Sequence, residues 1–246
     1  MAFYKFFQEA MDKCQTTWII SDTHFGEADL KEVFPNRPSD EELVKRINSR
    51  VGKNDMLIML GDVGNLAYVP QLRAKIKWLV LGNHDLGASN YQRQTWTKKF
   101  AQDQFQKDEA LFEMKKLYPN CCYSIDEGYQ FTAPFDYWEI KADNKLFNAV
   151  FEGPLMISEK LILSHEPIPN LSWAMNLHGH NHQGPVKSNL YHYNCALEVN
   201  DYMPISLNAL MKSGLTAHIE PLHRQTIDTA TVKARKRGYT LKERIK

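Results

Sequence analysis

The chain reads as an α/β protein (α+β on some schemes) in which two β-sheets pack on each other as a sandwich flanked by helices. Three observations predict this. Short apolar runs alternate with helical signals over the first third, a polar and aromatic-rich stretch interrupts them, and strand signals then resume. Alternating strand and helix implies a mainly parallel sheet, and a second group of strands beyond the interruption implies a second sheet. With 246 residues, 43% hydrophobic and 24% charged, the chain suffices for one domain over residues 1–246. Residues 87–145 are expected to form a helical inserted cap, and residues 223–246 a basic C-terminal tail.

Each element has its own warrant. In "MAFYKFFQEAMDKC", Phe3, Phe6, Phe7, Ala10 and Met11 share one helical face, which predicts a short packed helix rather than a signal peptide. "TTWIIS" (residues 16–21) is a β-rich run that ends in "DTHFG". Ser39 with Glu42 forms a capping box ahead of a helix that carries Leu43, Val44 and Ile47. "DMLIML" (residues 55–60) is a second buried strand and ends in "GDVGN". A short helix around "YVPQLRAK" leads to "IKWLVL" (residues 76–81), which ends in "GNHD".

Residues 91–118, polar with spaced aromatics, predict one or two amphipathic helices that stop at Pro119. The aromatic set that follows, Tyr129, Phe131, Phe135, Tyr137 and Trp138, is expected to pack, with stacking on a nucleobase as the alternative. "FNAVFEG", "LMIS", "KLILSHEP" and "LSWAMNLHGH" restore strand signals. "KSNLYHYNCALEVN" alternates, and "ISLNALMKSG" reads as a helix closed by Gly214.

Composition narrows the function classes. A net charge of +1 supplies no global field for nucleic acid or membrane. Residues 223–246 are the exception, with eight Lys or Arg against two acids, a solvated tail or a contact for nucleic acid. No apolar stretch is long enough to span a membrane, and no membrane partner is expected. The four cysteines show no CxxC spacing, so a disulfide framework is not predicted and a reducing cytoplasm is the expected compartment. Cys121 and Cys122 are expected to be inert. Nothing in the sequence specifies an oligomeric state.

Polar residues collect at the ends of the buried runs: Asp22 and His24, Asp62, then Asn83 with His84 and Asp85, then His165, then His180 and His182. Five of the nine histidines belong to this set. A single histidine at a strand end is ordinarily a hydrogen-bonded structural residue, and "GD" after a strand is commonly a turn. Five such groups in succession point instead to chemistry beyond the carboxyl ends of the strands. Carboxylates and imidazoles suit two divalent cations, with one carboxylate between them. Such a pair lowers the pKa of bound water from 15.7 to about 7 and attracts a phosphate oxygen. His178, the first histidine of "HGHNH", is expected to end a strand and not to be a ligand.

Taken together, "SDTHFG", "GDVGN", "GNHD", "SHEP" and "HGHNH" resemble the calcineurin-like metallophosphoesterase superfamily, closest to its small bacterial and phage-type phosphoesterases. The resemblance implies a β-sandwich flanked by helices. It implies that Asp22, His24 and His182 hold one metal, that Asn83, His165 and His180 hold the second, and that Asp62 bridges. It gives His84 the role of steadying the transition state or protonating the leaving oxygen, with Asp85 orienting it. Manganese is the leading metal, with zinc, iron or nickel as alternatives. Where those relatives carry a second histidine after "HFG", this chain has Glu27.

Neither the Asp-Arg nor the Glu of the protein phosphatase branch is present. The expected substrate is therefore a phosphodiester, a nucleotide or a related small phosphate ester. The alternative is a nuclease using the same site. A non-catalytic scaffold is the third class, against which the intact motif set argues. Asn65 is a candidate phosphate contact, set against the plain role of a turn asparagine.

Overall fold

Alternate residues of the first three apolar runs face two different cores, and this decides the architecture. The computed structural model describes residues 2–101, 104–128, 137–183 and 189–223. Tyr129, Phe131, Phe135 and the basic tail beyond His223 lie outside those residues.

In chain order, α1 (Lys5–Met11) precedes β1 (Thr17–Ile20), and α2 (Leu30–Val33) and α3 (Asp40–Arg50) precede β2 (Met56–Met59). A 3-10 turn at Leu66–Gln71 leads to β3 (Ile76–Val80) and α4 (Ser89–Gln92). Then come β4 (Arg93–Ala101), α5 (Gln104–Leu117), β5 (Cys122–Gly128) and β6 (Tyr137–Lys145). The C-terminal part holds β7 (Ala149–Phe151), β8 (Leu155–Ser158), β9 (Leu161–Leu163), β10 (Met175–His178) and β11 (His192–Asn194). A short 3-10 turn, β12 (Ile205–Ser206) and α6 (Leu207–Lys212) complete it.

The first sheet runs β12-β1-β2-β3-β7, with β1, β2, β3 and β7 parallel and β12 antiparallel on the edge. Its register places Trp18 opposite Leu57, and Ile58 opposite Trp78. The second sheet runs β11-β10-β9-β8. Ile19, Met56, Ile58, Trp78 and Val80 point into one core with Leu161, Leu163, Met175 and Leu177 of the second sheet and Phe7 of α1. Ile20, Leu57, Met59 and Leu79 point the other way, onto Leu43, Val44 and Ile47 of α3. A strand buried on both faces has to be apolar at every position, which is why these runs do not alternate. The capping box that opens α3 is half realised, since the Ser39 side chain accepts from the Glu42 N–H at 3.3 Å.

The insertion differs from the helical expectation. Arg93–Ala101 is a strand, and the helix is confined to Gln104–Leu117. β4 pairs antiparallel with β6 along its whole length, from Arg93↔Lys145 to Ala101↔Tyr137, and β5 pairs with the other edge of β6. Trp96 and Phe100 share the face that packs on Ala110 and Met114 of α5. The physical reason is a period of two, reinforced by the β-branched Thr95 and Thr97, whose pairing partner lies some forty residues on. Because Arg93 pairs with Lys145, the insertion leaves and rejoins the sandwich at adjacent points. Tyr137 and Trp138 each carry a lysine ammonium over the ring, from Lys99 at 4.4 Å and Lys107 at 4.2 Å.

Candidate metal centre

The parallel strands deliver their polar residues to one end of the sandwich. Asp22 follows β1, Asp62 follows β2, Asn83 follows β3, His165 follows β9 and His180 follows β10. The backbone turns sharply at these points. Asp22, His24, Asp62 and His180 all have positive φ, at 60°, 38°, 53° and 66°. Such conformations cost on the order of 1 kcal/mol each and persist only where the surroundings enforce them. Close approach is enforced as well. A Cβ on Gly179 would lie 1.8 Å from Ser21 Oγ and 2.4 Å from Asp22 Oδ2, and one on Gly82 would lie 2.2 Å from Asp62 Oδ1.

Two clusters result. In the first, His182 Nε2 stands 3.5 Å from Asp22 Oδ1, and His24 Nε2 lies 3.9 Å from Asp22 Oδ1 and 3.5 Å from Asp62 Oδ2. In the second, His165 Nε2 stands 2.8 Å from Asn83 Oδ1 and 3.2 Å from Asp62 Oδ2. His180 Nδ1 stands 3.0 Å from Asn83 Oδ1 and 3.2 Å from His165 Nε2. Asp62 Oδ2 faces both clusters. Asp22, His24, Asp62 and His165 are all nearly inaccessible to solvent, whereas Asn83, His84 and His180 are exposed.

The donor set fits cations. Asn83 Oδ1 and Asp62 Oδ2 are acceptors. His165 donates its Nδ1–H to the Leu60 carbonyl at 2.8 Å, so in the neutral ring Nε2 is an acceptor too. Acceptors facing acceptors at about 3 Å repel unless a cation sits among them. Ligands about 2.1 Å from a metal and at right angles lie about 3 Å apart. His24 Nε2 gives the same indication, being buried without a hydrogen-bond partner between two carboxylates.

The charges of the two clusters act on one another. Burial pulls the His165 imidazole down, but the carboxylates of Asp62 and Asp22 outweigh it and raise its pKa. His182 follows the same balance, with Glu198 and Asp22 overcoming burial. Burial holds the Asp22 carboxyl above its ordinary value. At Asp62 burial is outweighed by His165, by the His84 N–H and by His24, so its carboxyl lies below the usual value.

Residues around the clusters have different tasks. The His84 backbone N–H donates to Asp62 Oδ1 at 3.0 Å, and its ring stands 5.5 Å from that of His24, edge to face. Asp85 is a clamp on the backbone. Its carboxylate accepts the N–H groups of Gly82, Asp62 and Val63 at 2.8, 2.9 and 3.1 Å and the Tyr91 hydroxyl at 3.0 Å. It thus fixes the Asp62 loop, and among the described residues none of its bonds goes to the His84 ring. Asn65 is exposed and caps the 3-10 turn, with its Oδ1 accepting from the Ala67 N–H at 3.0 Å. His178 ends β10, donates Nδ1–H to the Gly179 carbonyl at 2.8 Å and packs edge-on to His192.

Four residues that sequence reasoning gave no role complete the surroundings. Glu27 Oε2 lies 2.9 Å from His24 Nδ1, and Glu198 Oε2 lies 3.1 Å from His182 Nδ1. Buried Arg37 pairs with Glu198 Oε1 and donates to the Thr23 carbonyl. Phe34 stacks on the His182 ring at 5.7 Å. Capping-box or strand-end patterns do not mark these positions, and Arg37 and Glu198 are 161 residues apart. The cysteines are free, and Cys121 is pushed up to about 11 by burial despite the nearby Lys77.

Two carboxylate–imidazole clusters at the carboxyl ends of parallel strands, sharing one aspartate, define a candidate two-cation hydrolytic centre. The family model described as "Calcineurin-like phosphoesterase" matches residues 16–202, and the chain belongs to that family. It is accordingly a metal-dependent phosphoesterase by family. A crystal structure titled as a protein of unknown function, AQ665 from Aquifex aeolicus, is 19% identical over 80% of this chain and 98% of that one, with a TM-score of 0.47. A search of curated proteins finds no significant match. Among the described residues, no helix is long and apolar enough to cross a membrane.

Proposed function

We propose that the protein hydrolyses a phosphodiester, a nucleotide or a related small phosphate ester, with manganese as the preferred metal pair. The observation that carries this reading is the pair of clusters meeting at Asp62, with His84 exposed beside them. Asp22, His24 and His182 would hold one cation, Asn83, His165 and His180 the other, with Asp62 between them. When bound, two such cations supply Lewis acidity and a nucleophile near neutral pH. The mixed oxygen and nitrogen donor set also suits zinc, iron or nickel.

The chain's own residues do the rest. Asp85 holds the backbone of the Asp62 loop, so the bridging carboxylate is set before substrate arrives. His84 donates a proton to the leaving oxygen as the bond from phosphorus to that oxygen breaks and the bond to the water-derived oxygen forms. The water supplies the proton that restores His84. Its exposure leaves room for a leaving group.

A screen of phosphomonoesters, phosphodiesters, nucleotides and short oligonucleotides with Mn, Ni and Zn tests the substrate class. D62N and H84A should each reduce turnover of a chromogenic phosphodiester by at least about 10²-fold. Unchanged activity in both variants sinks the mechanism. The basic segment motivates the nuclease alternative, which requires salt-sensitive oligonucleotide binding that is lost on deleting residues 232–246.

A further inference from the structure

The two clusters are backed differently. Each histidine of the Asp22 cluster leans on a carboxylate: His24 Nδ1 on Glu27 at 2.9 Å and His182 Nδ1 on Glu198 at 3.1 Å. The Glu27 hydrogen bond fixes the His24 tautomer, leaves Nε2 facing the centre and makes the ring a more basic ligand. Glu198 stands at ion-pair distance from His182 without hydrogen-bond alignment and acts on that ring through its charge. Among the described residues no such carboxylate backs the histidines of the second cluster. His165 Nδ1 donates to a neutral carbonyl, His180 spends Nδ1 on the cluster itself, and Asn83 stands where a carboxylate could. His182 is also flanked by Phe34 on its face and by Glu198, whose other oxygen pairs with Arg37.

We propose that Glu27 and Glu198 are positioning residues that make the Asp22–His24–His182 position the tighter of two unequal cation sites. Asp22 and Asp62 also stand within reach of His165 and so serve both sides. Among the described residues the difference lies in the two further carboxylates, Glu27 and Glu198, which back only the His24 and His182 side, against the single charge of Arg37. The first divalent ion is therefore taken up between Asp22, His24 and His182, and the second follows at higher concentration.

This inference rests on the two-cation reading, and one experiment separates the two. Metal-stripped protein is titrated with Mn2+ while the free ion is followed by its paramagnetic resonance signal. The wild type should take up two ions in two phases. E27Q should weaken the tight phase by about 10- to 100-fold and leave the weak phase within about threefold. Glu27 is the decisive position, because its side chain is 40% exposed and E27Q keeps an acceptor for the His24 N–H. E198Q should act in the same direction, but it also leaves the buried Arg37 without its counter-charge. Unequal phases that persist unchanged in E27Q overturn the assignment of Glu27, as do two equal phases in the wild type. Both phases weakening together would show a merely structural role and overturn it as well. Uptake of fewer than two ions by the wild type defeats the two-cation reading itself.

Discussion

Substituting Gly179 by alanine tests whether the close approach of two loops builds the centre. The added Cβ would stand 1.8 Å from Ser21 Oγ, 2.5 Å from Ser21 Cβ and 2.4 Å from Asp22 Oδ2. Ser21 cannot swing aside cheaply, because it is fully buried and its hydroxyl donates to the Leu60 carbonyl at 2.7 Å. Reaching an ordinary contact of about 3.5 Å requires the loop to retreat by more than about 1 Å. His180 and His182 both ride on that loop, and the His180 N–H bonds to Asp22 at 3.0–3.1 Å would be lost. A displacement of about 1 Å can cost on the order of 10²-fold in rate, and overpacking adds about 1–3 kcal/mol of destabilisation. With a chromogenic phosphodiester at saturating Mn2+, G179A should lose at least about 10²-fold in kcat/KM. The matched control is G87A, since a Cβ there meets nothing within 4 Å, and it should keep wild-type turnover. A G179A protein with kcat/KM close to wild type would refute the argument.

The clamp at Asp85 gives a second expectation. D85N puts an amide N–H where three backbone donors converge. It should cost about 2–3 kcal/mol in urea unfolding and on the order of 10²-fold in kcat. Y91F removes only the hydroxyl donor and should keep activity within a few fold. Lys77 gives a pH signature away from the centre. Burial takes its ammonium from 10.5 down to about 8, and its Nζ has the Val69 carbonyl at 3.0 Å as a partner. Between those two values the unfolded chain binds more protons than the folded one, so stability rises with pH. The rise between pH 7 and pH 10 should be roughly 2–3 kcal/mol relative to K77M in chelator. Parallel pH profiles for the two proteins would refute it.

How much of this was legible in the sequence depended on the range of the interaction. β1, β2 and β3 announce themselves because burial on both faces demands continuous apolar runs, and Asp22, Asp62 and Asn83 mark their ends. The strand over Arg93–Ala101 was harder. Its period of two is present in Trp96 and Phe100, but lysines and glutamines allow a helix until β6 arrives to pair with it. Glu198 and Arg37 carried no local signal, since their meaning arises only when residues 161 positions apart touch. Glu27 stood next to a motif, yet its contact with His24 depends on the turn that gives His24 a positive φ. Asp85 was visible, but its partners were not, because backbone N–H groups leave no trace in a sequence.

The bond from the His180 N–H to Asp22 closes a span of 158 residues and joins the two sheets. A contact of that separation carries a larger loop-closure cost than the local pairings, which favours its forming after them. The segment up to Asn83, about a third of the chain, carries Asp22, His24, Asp62 and Asn83 but lacks the imidazoles of His165, His180 and His182. The proposed ligand set is complete only in the docked sandwich, and ions bound to it would select that state over the open chain. The centre would then hold the two sheets together, and ion uptake would serve as a gauge of whether the second sheet has arrived.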